Sequence, residues 1–172
     1  MMRWRGVNHI ILTAIAASIL ATGCITTQTT DRLSQGDIAA MHEAINDEYR
    51  LKASYDSIFN DYGRLTPFTN LHSAEQEHVA DLANLFEKYR LRVPKDNWSK
   101  SGIRYSSIEE ACVAGVEAER QNAAMYDRLI PNVEDPDVRH VFAKLRDASR
   151  EYHLPELERC VRRERIRPAD LT

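Results

Sequence analysis

Glu48, Glu75, His78, Glu119 and His153 are polar residues at positions where the surrounding helical pattern calls for apolar ones. A buried carboxylate without compensation is expensive. One bound cation compensates several such groups at once; the alternative is a dry hydrogen-bond network among the same side chains. Glu75 and His78 are three residues apart, so on a helix both project from one face, one turn from each other. A two-metal carboxylate site in a four-helix bundle draws Glu, then Glu-x-x-His, then Glu, then Glu-x-x-His from successive helices. Here the order is Glu48, then Glu75-Gln76-Glu77-His78, then Glu119, then His153 with Arg150 where the last glutamate belongs. Glu156, one turn beyond His153, or Glu151, if the chain rotates near Pro155, are the candidates for the missing carboxylate. The third alternative is a single ion held by Glu48, Glu75, His78 and Glu119. Mixed imidazole and carboxylate donors suit iron, manganese or zinc alike.

Four amphipathic segments must position these residues. The first is expected from Asp37, as N-cap, to Tyr62, stopped by Gly63. Met41, Glu48, Tyr55 and Tyr62 share one seam by seven-residue spacing, and Ile38, Ile45, Lys52 and Phe59 the other. The second runs from about Thr69 to Tyr89, with Leu71, His78 and Leu85 beside Glu75, Leu82 and Tyr89. Residues 90–107 form an irregular crossover containing Pro94 and Gly102. The third starts at Ser107, with Glu110 three residues on, and aligns Cys112, Glu119 and Tyr126 beside Gly115, Asn122 and Leu129. The fourth starts near Asp137 and places Val138, Phe142, Leu145, Ser149, His153, Glu156 and Cys160 on one side. Pro155 lacks an N–H, deprives the Glu151 carbonyl of its partner and predicts a kink. No segment sustains strand alternation, so the fold class is all-α. Helices joined by short turns pack antiparallel.

Residues 1–23 have the form of an export signal: Arg3 and Arg5, then an apolar run from Ile10 to Ala21 that is short for a membrane span. The segment Leu20-Ala21-Thr22-Gly23-Cys24 resembles a bacterial lipobox, with Ala21 where leucine is usual, and makes Cys24 the lipid-attachment residue. Residues 24–36, rich in Thr and Gln, read as a tether, and residues 37–167 as one domain. The expected location is the periplasm or the outer face of a membrane. Removing residues 1–23 takes away Arg3 and Arg5 and no acidic residue, so the net charge falls from −3 to −5. That balance argues against a nucleic-acid partner. The expected partners are the membrane, through the anchor, and a second copy in a dimer, with any other protein partner left open. With Cys24 lipidated, Cys112 and Cys160 remain as a pair in an oxidising compartment. Antiparallel third and fourth helices bring them together, so a disulfide is expected.

The stretches Asn46-Asp47-Glu48-Tyr49, Pro67-Phe68, Ala74-Glu75-Gln76-Glu77-His78, Gly115-Val116-Glu117-Ala118-Glu119 and Ser149 through His153-Leu154-Pro155 to Arg159-Cys160 resemble ferritin-like proteins. More narrowly, the chain resembles the ferritin-like family known as domain of unknown function 2202. The resemblance implies a ferritin-like antiparallel four-helix bundle with a metal centre, and Arg150 departs from the ferritin pattern. The functional expectation is an exported metal-binding lipoprotein with ferrous-oxidising or peroxide-reducing chemistry. The competing expectation is a metal-free helical module that binds a partner at the cell envelope. His42, His72 and His140 are read as surface or rim residues, Glu117 as solvated, and Tyr49, Tyr55, Tyr62, Tyr126 and Tyr152 as core packing. No Ser-His-Asp order, phosphate loop or zinc-protease motif supports a hydrolase.

Overall fold

The computed structural model describes residues 33–101 and 103–166. The export signal, Cys24 and residues 24–32 of the tether lie outside them. Among the described residues every regular element is helical: α1 (Gln35–Tyr62), α2 (Phe68–Lys88), α3 (Ile108–Leu129), α4 (Pro136–Ala148) and α5 (Leu154–Ile166). A 3-10 turn, Ile130–Asn132, follows α3, and a π-helical turn, Ser149–His153, joins α4 to α5 in one continuous rod. None of these helices is long and apolar enough to cross a membrane.

The helix starts follow from side chains that satisfy orphan N–H groups. Ser34 Oγ accepts from the Asp37 N–H at 3.0 Å, and the Asp37 carboxylate accepts from the Ser34 N–H at 3.4 Å. This reciprocal pair is a capping box. Asp37 is therefore the third residue of α1 and not its N-cap, and the helix begins inside the expected tether. The other Asp37 oxygen accepts from the Glu134 N–H at 2.8 Å, which pins the start of α1 to the segment before α4. Ser107 caps α3 through the Glu110 N–H. Asp135 caps α4 through the N–H groups of Asp137 and Val138, with Pro136 in the first turn, where a missing N–H is harmless. Gly63 ends α1 with φ of 77°, a conformation that favours glycine.

α1 packs on α2 and α3, α3 on α4 and α5, and α2 on α4. Two apolar clusters form. Met41, Ile45, Leu82, Phe86, Tyr126, Phe142 and Leu145 belong to one. Tyr55, Ile58, Phe68, Leu71, Leu157 and the cysteines belong to the other. On each rod the residues with metal-binding chemistry fall at or next to the boundary between the two clusters in sequence. Cys112 and Cys160 are joined as a disulfide, with their Cα atoms 5.8 Å apart. Gly115 lets α5 approach closely: a Cβ built there would lie 2.8 Å from Leu157 Cδ2.

The kink expected at Pro155 takes the form of the π-turn, whose Ser149 carbonyl accepts from the Leu154 N–H. The inward residues Leu145, Ser149, His153 and Leu157 are spaced by four. Each such step overshoots an α-helical turn by about 40°. The wider π-turn absorbs an extra residue and returns the inward stripe to the core. Residues 90–101 and 103–107 run without regular structure and are strapped to α1. Tyr49 Oη donates to the Pro94 carbonyl at 3.1 Å, Tyr62 Oη to the Tyr105 carbonyl at 2.7 Å, and Trp98 Nε1 to Asn46 Oδ1 at 3.0 Å.

Candidate metal centre

Glu48, Glu75 and Glu119 are fully buried, His78 is 5% exposed and His153 4%. All five converge. His78 Nδ1 lies 3.2 Å from Glu48 Oε2 and 3.1 Å from Glu75 Oε2. His153 Nδ1 lies 3.2 Å from Glu75 Oε1 and 3.3 Å from Glu119 Oε2. Glu75 thus turns one oxygen toward each histidine. The imidazole rings stack with centroids 5.3 Å apart. Two triads result, Glu48–Glu75–His78 and Glu75–Glu119–His153, each with its donor atoms within 4.8 Å of one another. These buried groups could hold a metal ion.

The outer oxygens of the terminal glutamates are oriented by neutral donors. Glu48 Oε1 accepts from Tyr126 Oη at 2.7 Å and from Asn122 Nδ2 at 3.0 Å. Glu119 Oε1 accepts from Tyr55 Oη at 2.9 Å. Asn122 also donates to Asp47 Oδ2 at 3.0 Å and accepts from Ser149 Oγ at 2.8 Å. Glu75 has no such support. Its Oε1 is buried and lacks a hydrogen-bond partner, because the nearby His153 contact is not in hydrogen-bonding geometry.

The electrostatics follow from this packing. Burial, followed by the charges of Glu48 and Glu119, pushes Glu75 up to about 8. Burial also pushes Glu48 up, but hydrogen bonds from His78, Glu75 and Tyr126 outweigh it and hold the group at about 2. Burial alone would lower both histidines; the carboxylates facing them win and raise His78 and His153 to about 10. Burial and the adjacent glutamates push Tyr55 and Tyr126 well above the usual phenol range. In the metal-free chain, imidazolium protons therefore stand where cations would serve.

The fourth rod contributes only His153. Arg150 is exposed and pairs with Asp127. Glu151 is exposed, and Glu156 pairs with Arg159. Neither reaches the site: the π-turn brings Ser149 and His153 inward and sends Glu151, between them, outward, while Glu156, in the first turn of α5, is turned to Arg159. His72, expected at the rim, is instead 6% exposed, with Nε2 2.8 Å from Asp56 Oδ1. Tyr152, expected in the core, is 66% exposed, on the outer side of the same turn. His42, His140 and Glu117 are exposed as expected. The sequence reading missed the polar roles of Tyr55, Tyr126, Asn122 and Ser149. The available signal was spacing: Tyr55 follows Glu48 by seven residues, and Tyr126 follows Glu119 by seven.

No family model matches the chain, and no curated protein matches it in sequence. Solved structures do share its fold. One is a hypothetical protein, MJ0754, from Methanococcus jannaschii, with a TM-score of 0.69 and 22% identity over 77% of this chain and 83% of that one. Another is a conserved hypothetical protein, rv2844, from Mycobacterium tuberculosis, with a TM-score of 0.62 and 16% identity over 73% of this chain and 90% of that one.

Proposed function

We propose that this protein is an exported metal-binding lipoprotein built as a ferritin-like antiparallel four-helix bundle, with residues 90–107 as its crossover, and that iron is the favoured metal. The observation that carries this reading is Glu75, a fully buried carboxylate whose two oxygens face two different histidines and whose Oε1 has no hydrogen bond. An orphaned buried carboxylate oxygen is costly, and a cation would satisfy it. The donor set fits: Glu48, Glu75 and His78 would hold one ion, and Glu75, Glu119 and His153 a second. Bound iron would supply the one-electron steps by which electrons pass from ferrous ion, which is oxidised, to dioxygen or peroxide, which is reduced. The chain's own part is to orient the carboxylates through Tyr55, Tyr126 and Asn122 and to exclude bulk water with the two apolar clusters. Cys24, as lipid-attachment residue, would hold the domain at the periplasmic or outer face of a membrane.

The test is metal analysis of untagged protein purified without chelators and then reconstituted with ferrous ion. Retention of at least one equivalent supports the reading; less than about a tenth of an equivalent rejects it, since preformed imidazole and carboxylate sites bind transition metals firmly.

A second reading is favoured by the hydrogen bonds of His78 to Glu48 and of His153 to Glu119, which close much of the network with protons alone. There the polar layer fixes helix register, and the bundle is a metal-free interaction module of the cell envelope. That reading expects the melting temperature to ignore added metal both in the native chain and in Glu119→Gln.

A further inference from the structure

The two halves of the centre repeat one pattern. On α1, Glu48 is followed seven residues later by Tyr55; on α3, Glu119 is followed by Tyr126 at the same spacing. Tyr126 donates to Glu48 Oε1 and Tyr55 to Glu119 Oε1. Each histidine presents Nδ1 to the Oε2 of its own half's glutamate, at 3.2 Å for His78 and 3.3 Å for His153.

The repetition fails in two places. Glu75 is the buried residue one turn before His78. Its counterpart, the buried residue one turn before His153, is Ser149 and not Arg150, because the π-turn lengthens that step from three residues to four. Asn122 lies three residues beyond Glu119; its counterpart beyond Glu48 is Leu51. The two odd residues are bonded to each other, Ser149 Oγ donating to Asn122 Oδ1 at 2.8 Å, and both are buried. Ser149, neutral and bonded to Asn122, thus takes the helical position at which the repeat would place a second bridging carboxylate.

A charge count follows, and it rests on the metal-binding reading above. Histidine ligates in its neutral form. Two divalent ions would then bring four positive charges against the three carboxylates Glu48, Glu75 and Glu119. A surplus buried charge is expensive. We propose that Ser149 holds the second bridging position, and that its neutrality makes uptake of a second divalent ion depend on a small mononegative oxygen donor from solution. Formate and hydroxide share that chemistry. Ser149 is on this account a specificity-determining residue that leaves one ligand of the pair to be supplied from outside.

The experiment uses the full chain and Mn²⁺ as probe. Ions per chain are counted by equilibrium dialysis, and electron paramagnetic resonance separates isolated from spin-coupled manganese. In the wild type, formate at fixed pH is expected to tighten the second ion about tenfold, the scale on which neighbouring polar groups tune metal affinity. If hydroxide is the source instead, the second ion releases one more proton from the wild type than from Ser149→Asp. Ser149→Asp, and Ser149→Glu combined with Asn122→Ala to make room, are expected to take two coupled ions with neither dependence. Two outcomes overturn the proposal. One is a second wild-type ion indifferent to formate and releasing no extra proton; the other is a folded carboxylate variant that still needs the anion. Should the variants not fold, the formate response and proton count of the wild type decide, the latter against the histidine protons alone. A wild type that binds no manganese at all sinks the metal reading itself, and this inference with it.

Discussion

Tyr55 and Tyr126 cross-brace the site: each donates to the glutamate of the other's helix, Tyr55 Oη to Glu119 Oε1 at 2.9 Å and Tyr126 Oη to Glu48 Oε1 at 2.7 Å. The bonds tie α1 to α3 and leave the Oε2 atoms of both glutamates turned toward the histidines. Tyr126→Phe leaves Glu48 with Asn122 as its neutral support, whereas Tyr55→Phe leaves Glu119 Oε1 with none. Removing a donor from a buried acceptor costs about 1–3 kcal/mol. Urea unfolding of the metal-free variants is expected to show the larger loss for Tyr55→Phe; equal and negligible losses would mean that the cross-brace is incidental.

Glu75 separates folding from binding. Its folded-state pKa is raised to about 8 from an ordinary 4.5. For a group raised on folding, the associated stability is full below 4.5 and lost as pH rises through 8. Glu75→Gln keeps the shape and removes the charge, so the metal-free variant is expected to be at least as stable as the wild type at pH 8–9. Metal affinity should fall about a hundredfold or more, because both triads lose their shared anionic donor. Thermal melts paired with metal titration check both halves. A variant that loses stability and affinity together contradicts this division.

Metal uptake should respond to pH in a definite direction. His78 and His153 are held to about 10 by their carboxylates, so an ion must displace their protons. Affinity is expected to rise from pH 6 to pH 9 with net proton release, measured by calorimetry in buffers of different ionisation enthalpy. In the metal-free chain the same shifts contribute stability that is full below the ordinary 6.5 and lost as pH rises through about 10. Glu48, held at about 2, contributes above the ordinary 4.5 and loses that contribution as pH falls toward 2. A pH-independent affinity would show that protons and metal do not compete for these groups.

The disulfide clamps α3 to α5 one heptad from the site. Cys112 lies seven residues before Glu119, and Cys160 seven after His153. Its closed loop spans 48 residues, for which chain entropy assigns roughly 4 kcal/mol. Cys112→Ala with Cys160→Ala is expected to lower the unfolding free energy by about that amount at most, less any relief from added packing freedom. Chemical denaturation of both forms under oxidising conditions measures it; no change would mean that the bridge constrains nothing that the core does not already hold.

The site was more legible in the sequence than its surroundings. Seven-residue spacing alone put Glu48 and Glu119 on inward seams, and the three-residue step did the same for Glu75 and His78, because a regular helix fixes which residues share a face. The Cys112–Cys160 pairing followed from the same geometry. Where the helix is not regular, that inference failed. Arg150 was expected to stand where a carboxylate was missing, with Glu151 or Glu156 to replace it. The π-turn changes the residues per turn and makes Ser149 the inward neighbour of His153 instead.

The amino-acid sequence by itself determined the all-helical class, the inward faces and the residue types of the buried polar layer, since helical periodicity is a local property of the chain. Tertiary structure decided which carboxylate lies between the histidines, which tyrosine supports which glutamate, and how Ser149 and Asn122 find each other. Those are distances between residues up to 78 apart in sequence, set by how four rods pack, and no local periodicity encodes them.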